Sequence, residues 1–416
     1  MTAERSIDTQ MEKSGKDTRR SAGVNGTEGT DGMRTETARQ RRVVLVSLGR
    51  GPGDPRAMQK EARSLARCGY DVTYVCNAGS GPLVTDDHVH IQPVEMPRER
   101  LVRQTRGPGV MLHEAMLARP DALHVFDPAL IRPAIRLGRR HGLRVVVDLP
   151  EDSPKQILQK SYLGPMLVRR LVSRAYQRMS QAVLPGSSLV IAATPSIAAS
   201  VPAGCHCITV RNFPEVSEID AVPALTPAGH GTHDSPLRLV YVGGISSIRG
   251  IRELVLAVGM MHGAAELHLA GPVHDGALMD SMECLPAWRY CTYHGWLSWQ
   301  DSIGLIKTCD LGACILQAAP NQIEALPVKV FEYMACSRAS IVSSFPLWRR
   351  LFAGAAVFVE PTDVVHLARL LELLRAEPVL LRRLAERGRM LAETRFSWES
   401  EAQELARGYA GMWTAR

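Results

Sequence analysis

The sequence holds nine cysteines yet no Cys-x-x-Cys pair, and no stretch approaches the roughly 18 apolar residues that span a bilayer. Scattered thiols in odd number exclude a disulfide scaffold and read as reduced, mostly buried side chains. The one close run of metal-ligand residues is Cys205-His206-Cys207. Successive residues on a strand point to opposite faces, so no metal site is predicted. The N-terminal region lacks the compact apolar segment of a secretory leader, and a cytoplasmic protein is expected, with association at a membrane surface left open. No Gly-rich loop ends in Gly-Lys-Ser/Thr, and G-x-G-x-x-G is absent. This removes the P-loop and the nicotinamide-dinucleotide fingerprint. The net charge of +7 is too diffuse to argue for nucleic acid and suits an anionic ligand or an acidic lipid surface.

What is present is the grammar of an α/β protein. Apolar residues make up 45% and charged residues 22% of the 416, enough for the cores of two domains. Residues 1–41 are polar and nearly free of bulky apolar side chains, and a disordered tail is predicted there. Val43 to Ser47 then reads as a buried parallel strand, followed by a Gly-rich turn, a helix capped at Asp54 with Pro55 in its first turn, and the strand DVTYVC. The unit repeats through ALHVF, LRVVVDL, LVIAAT and CITVRN. Residues 217–235, rich in Pro, Ala, Gly and Thr, read as a linker. The same grammar restarts at LRLVYVGG. The predicted fold is therefore α/β, with two Rossmann-like domains, 42–216 and 236–395, facing a central cleft, and a last helix over 396–416.

Two loops at the carboxyl ends of second-half strands carry the chemistry. In YVGGISSIRG, Gly243 and Gly244 free the backbone, and Arg249 stands just before a helix. A diphosphate would find amides, a helix N-terminus and a guanidinium there; the bland alternative is a tight turn with an exposed arginine. In EALPVKVFEYMACS, Pro327 starts a helix and Lys329 falls in its first turn. The helix dipole disfavours a lysine at that position unless an anion is bound. Glu332 lies on the same face and can accept from vicinal ribose hydroxyls, while Glu324 precedes the helix and can reach a sugar beyond the phosphates. The alternative is a surface Lys329–Glu332 pair worth only about 0.2–0.5 kcal/mol.

The spacing of Glu324 and Glu332 resembles the E-x7-E signature of family 4 retaining glycosyltransferases of GT-B architecture, and LPVKVFEYMA resembles their Pro-x-Lys-x-x-Glu-Tyr-Met subgroup. TYHGWLS, SSFPLWRRLF, VFVEPTD and FSWE are similar to the same family's second half, and LHVFDPALIRPAI, VVVDLPEDSPKQIL and VRNFPEV to its first. The resemblance implies transfer of a sugar from a nucleoside-diphosphate donor with retained configuration and no metal or other cofactor. A UDP-linked hexose or N-acetylhexosamine is the donor common among such enzymes. The last helix would cross back to the first domain. By position, Glu324, Lys329 and Arg249 take the catalytic roles. Gly243, Gly244, Gly271, Leu326, Pro327 and Glu332 complete the donor site. Relatives carry Gly-Arg where this chain has Gly243-Gly244, and histidine where it has Phe126 and Pro150.

The first domain is expected to bind the acceptor, with Gly51, Gly53, Asp127 and Glu151 at the cleft, although each acid could equally cap a helix. The acceptor class is a polysaccharide, a lipid-linked sugar or a small natural product such as an aminocyclitol. Residues 155–178 carry six cations and no acid among apolar residues at helical spacing. They fit either contact with anionic lipid or a solvated basic face. Two other readings stand beside transfer: an epimerase of nucleotide sugars on the same fold, and a non-catalytic nucleotide-sugar-binding relative that supports a partner enzyme.

Overall fold

In a computed structural model of the chain, described for residues 39–81, 85–97, 99–160, 163–225 and 235–414, the apolar runs become two open sheets of parallel strands. The first sheet is built from β1 (Arg42–Val46), β2 (Asp71–Asn77), β3 (Val89–Val94), β4 (Ala122–Val125), β5 (Arg144–Leu149), β6 (Leu189–Ala192) and β7 (Cys207–Thr209). Its order is β3-β2-β1-β4-β5-β6-β7. The second holds β8 (Leu237–Val242), β9 (Ala265–Ala270), β10 (Cys291–Tyr293), β11 (Leu311–Cys314), β12 (Ala339–Ser343) and β13 (Ala356–Val359), in the order β10-β9-β8-β11-β12-β13. Apolar clusters lie on both faces of each sheet, which is why the central strands read as unbroken aliphatic runs. The order reverses once in each sheet, between β1 and β4 and between β8 and β11. Loops diverge there at the carboxyl ends and open a crevice.

The two-lobed α/β architecture is the one expected, and the final helix, Trp398–Thr414, does return to the first lobe. Its Trp398, Leu405, Tyr409 and Met412 are buried in that lobe's core. Other expectations need correction or fall outside view. The proposed tail over 1–41 lies outside the described residues as far as 38, and β1 already begins at Arg42. The proposed linker 217–235 opens as a helix, Val216–Ala221, and residues 226–234 are outside the described set. Val216 and Ile219 supply the apolar spacing that composition alone concealed, and they bury in the second lobe. The Lys307 ammonium caps this helix by donating to the carbonyls of Ile219 and Val222. Strand β3 was not anticipated, since His90, Gln92 and Pro93 break the apolar run on an edge strand.

The chain passes between the lobes twice. Val210 belongs to the first lobe's core and Phe213 to the second; Phe396 belongs to the second and Trp398 to the first. The two passages are tied by Trp398 N–H donating to the Pro214 carbonyl at 2.7 Å.

Asp54 caps the first helix as expected, accepting from the amides of Arg56 and Ala57. The helix is π-wound over Pro55–Ala62. A wider turn stacks residues five apart, and it brings Arg56 Nε to 3.0 Å from the Glu61 carboxylate. The same guanidinium grips Asp148 at the end of β5 with two bonds, 2.7 and 2.8 Å, and donates to the Val210 carbonyl. His124 of β4 lies 3.4 Å from Glu61 and bonds the Tyr409 hydroxyl of the crossover helix at 2.9 Å. All these side chains are buried. Burial and the Asp148 charge push the Glu61 carboxyl up to about 8, and burial pushes His124 down to about 4. Among the described residues no helix is long and apolar enough to cross a membrane.

A raised folded-state pKa at Glu61 means that its contribution to stability is complete at low pH and lost as pH rises from 4.5 to about 8. His124 acts oppositely, losing stability as pH falls from 6.5 to about 4. Glu61→Gln removes only the first effect. Thermal unfolding across this range is expected to show the melting temperature of Glu61→Gln rising relative to wild type as pH increases; a constant difference would contradict the assignment.

Candidate functional site

Both lobes contribute to a cleft of about 440 Å³ lying at the β8/β11 crevice. On the second lobe's side its walls include Arg249, Glu324, Leu326, Pro327 and Lys329, five of the residues singled out by the sequence. Pro327 is the N-cap of the helix Val328–Ala335, which thus begins one residue later than expected, and Lys329 sits at its second position. Val330, Phe331 and Met334 bury beneath. The loop ahead of the helix is fixed from below, because the indole N–H of buried Trp348 donates to the Ala325 carbonyl at 2.8 Å. The expected open loop also contains a helical turn, Pro320–Ile323, with Glu324 at its end.

Lys329 lays its chain over the end of β8, with its ammonium 5.3 Å from the Tyr241 ring centre. Gly243 has φ of 140° and faces this chain, and a β-carbon there would collide with Lys329. Gly244 is closed in by His274 and Gly271 by the Gly243 carbonyl, so these glycines give room for backbone and lysine. Among the described residues neither Lys329 nor Arg249 has a carboxylate within ion-pair distance, so the bland Lys329–Glu332 surface pair does not form. Burial lowers the Lys329 ammonium, and the nearby Arg249 charge adds to this. Two cations converge at the start of a helix with no carboxylate in ion-pair contact among the described residues; Glu332 acts on Lys329 only from farther off.

Glu332 does not line the cleft; it lies one helical turn behind Lys329. Burial raises its carboxyl, while Lys60, Lys329 and a hydrogen bond from the Trp299 side chain oppose the rise. Lys60 reaches this point from the first lobe, donating to Asn212 at 2.7 Å, and burial takes its ammonium down to about 8. Glu324 is exposed and pairs across the cleft with Lys155 at 2.8 Å, which holds its carboxyl below the usual range.

On the first lobe's side, Glu151 lines the cleft together with Pro150, Asp152, Lys155, Thr194 and Asn212. Glu151 accepts from the Gln156 amide. The other expected acceptor residues are turned to structural use. Asp127 accepts from Ser47 Oγ and Leu48 N–H, both at 2.7 Å, and so braces the loop after β1. Gly51 abuts the Ser80 carbonyl, and the Gly53 carbonyl accepts from Gln59. Phe126, where relatives carry histidine, is buried and stacked on His124 with ring centres 4.7 Å apart. Lys60, Asn212, Lys155 and Trp299 were missed, because each meets the site only through the tertiary fold. Glu61, His124 and Asp148 form a cluster of ligand-type side chains, but the Arg56 guanidinium already fills the position a cation would take.

The family model described as "Glycosyl transferase 4-like domain" matches residues 53–203, and the one described as "Glycosyl transferase-like" matches residues 251–407. No curated protein sequence matches the chain. Among solved structures, sucrose-phosphate synthase from Thermosynechococcus elongatus is similar over 91% of this chain and 100% of its own, at 16% identity and a TM-score of 0.69. A glycosyltransferase from Rickettsia africae gives the same coverage and TM-score of 0.69 at 14% identity. Anabaena HepE in complex with UDP-glucose is similar over 89% of this chain and 99% of its own, at 14% identity and a TM-score of 0.66.

Gly243→Ala is expected to cost about 1–3 kcal/mol through backbone strain and to push Lys329 off β8. Calorimetry with inorganic pyrophosphate should show weakened binding alongside a lower melting temperature. Gly276→Ala, where an added β-carbon meets nothing, should change neither; equal behaviour of the two variants would refute the packing argument.

Proposed function

Since this chain belongs to the glycosyltransferases of GT-B architecture, we propose that its cleft moves a hexose or N-acetylhexosamine from a nucleoside-diphosphate sugar, UDP-linked, to an acceptor hydroxyl with retained configuration. The observation that carries this reading is the convergence of Lys329 and Arg249, without carboxylate partners, at the β8/β11 switch point. A pyrophosphate seated there neutralises both. As the glycosidic bond breaks toward an oxocarbenium-like state, charge grows on the leaving β-phosphate, and fixed cations aimed at it favour the transition state over the ground state. The departing phosphate oxygen is then the group that takes the acceptor's proton. No metal or other cofactor has a role in this scheme.

Glu332, set off the cleft wall one helical turn behind Lys329, holds the ribose in this reading only if the donor reaches past the phosphates to it, and it must be ionised to accept from both hydroxyls. Glu324 faces the donor sugar. Its pair with Lys155 is largely exposed and worth at most about 1 kcal/mol, so an arriving sugar displaces it at small cost. The acceptor, a carbohydrate or small natural product, lies against Glu151, Thr194 and Asn212. A polar first-lobe wall favours transfer over epimerisation, which needs no second substrate.

Release of nucleoside diphosphate from a panel of sugar nucleotides, with and without acceptors, tests the proposal. Acceptor-dependent release supports it; acceptor-independent conversion points to an epimerase, and binding without turnover to a non-catalytic relative. Lys329→Ala is expected to lower kcat about 100- to 1,000-fold. Glu332→Ala should raise the donor Kd at least about tenfold with less effect on kcat. Because burial raises the Glu332 carboxyl above 4.5, donor affinity should fall on acidification earlier than an ordinary carboxylate dictates. Equal, negligible effects of both substitutions would remove the site.

A further inference from the structure

The helix Met166–Val183 is the most exposed in the first lobe, with Ser173 its only fully buried residue. It leans on the short helix Ser153–Gln159, where Arg169 donates to the Leu158 carbonyl at 2.7 Å and Ser173 to the Pro154 carbonyl at 2.9 Å. The opposite face carries Leu167, Leu171, Arg174 and Arg178, spaced by four, three and four along one stripe. Leu167 is 72% and Leu171 64% exposed. Of fifteen large apolar side chains left exposed among the described residues, five fall within residues 166–172, so the patch is a cluster and not scatter. Arg170, Arg174 and Arg178 meet no carboxylate among the described residues, and residues 153–183 contain no acid.

We propose that this face is a docking surface for an anionic lipid bilayer, with Leu167 and Leu171 inserted at the acyl boundary and Arg170, Arg174 and Arg178 on the headgroups. Apolar side chains at one end of a stripe and cations along it match the two layers of such a surface. Charge decides against a second copy of this chain. A two-fold contact would set the arginines against themselves with no acid on the helix to answer them. The supporting helix carries Lys155 and Gln156, which line the cleft, so a single helix separates the proposed surface from the cleft. The proposal stands apart from the transfer reading, because binding to lipid requires neither donor nor acceptor.

The test is flotation of the full chain with vesicles of phosphatidylcholine alone and of phosphatidylcholine with phosphatidylglycerol. Binding is expected only to the anionic vesicles and should weaken as salt is added. Replacing all three arginines (Arg170→Gln, Arg174→Gln, Arg178→Gln) should lower the partition coefficient roughly 100-fold. Leu167→Ser with Leu171→Ser should lower it at least about tenfold. Leu167→Ala with Leu171→Ala serves if the serine pair lowers the melting temperature. No binding by the wild type, equal binding to both vesicles, or variants that bind like the wild type would each overturn the proposal. So would a dimer by light scattering that Leu171→Ser breaks and that ignores vesicles, since a second copy would then be the occupant.

Discussion

A guanidinium buried at the end of a sheet must be met on every side, and Arg56 is met by Asp148, Glu61 and the Val210 carbonyl. Removing such a charge from water costs several kcal/mol, offset only when geometry and hydrogen bonding are both complete. The guanidinium's own hydrogen bonds, to Asp148 and the Val210 carbonyl, tie together the ends of β5 and β7 and the first helix, while the Glu61 carboxyl meets it by charge alone, without a hydrogen bond. The two strand ends lead to the cleft through Pro150 and Asn212, and β7 runs straight into the first passage between the lobes. Through His124 and Tyr409 the same cluster reaches the crossover helix, so the docking of the chain's last helix and the shape of the cleft's first-lobe edge share one cause. The π-turn is the local cost of this arrangement, since an ordinary turn would not stack Arg56 on Glu61.

The lobes divide the chemistry unequally. The second lobe gathers positive charge at its switch point and gives up side chains where Lys329 must lie, at Gly243. The first lobe offers a wall of small polar groups and acids with its own charges largely answered. Donor recognition by fixed cations and acceptor recognition by hydrogen bonds are the division that a transfer between two bound substrates needs. Lys60 is the exception, a first-lobe cation delivered to the side of Glu332, where it helps keep that carboxyl ionised despite burial.

The sequence disclosed the sheets because parallel strands covered on both faces must be continuously apolar, and the start of the Val328 helix because proline and lysine there are costly without reason. It disclosed Arg249, Glu324, Leu326, Pro327 and Lys329 as neighbours, since loops leaving adjacent parallel strands must meet. The strand Val89–Val94 stayed hidden because an edge strand tolerates the proline and polar residues that argue against one. Residues 217–221 were mistaken for linker because composition outweighed a single apolar pair. Arg56, Glu61, His124, Asp148 and Tyr409 were illegible as a group. They are spread over more than 300 residues, from 56 to 409, and nothing local marks a charge that will be buried. Asp127 looked like a ligand and proved to be a brace, a distinction that only hydrogen-bond geometry makes.

The two passages between the lobes lie side by side, joined by the Trp398 amide and the Pro214 carbonyl. One strand of chain would act as a swivel, free to turn about any direction. Two fixed edge to edge act as the spine of a book: the covers part and meet, but resist sliding or twisting past each other. For a cleft whose cations sit on one page and whose acceptor wall sits on the other, this limits misalignment to a single coordinate, the opening angle.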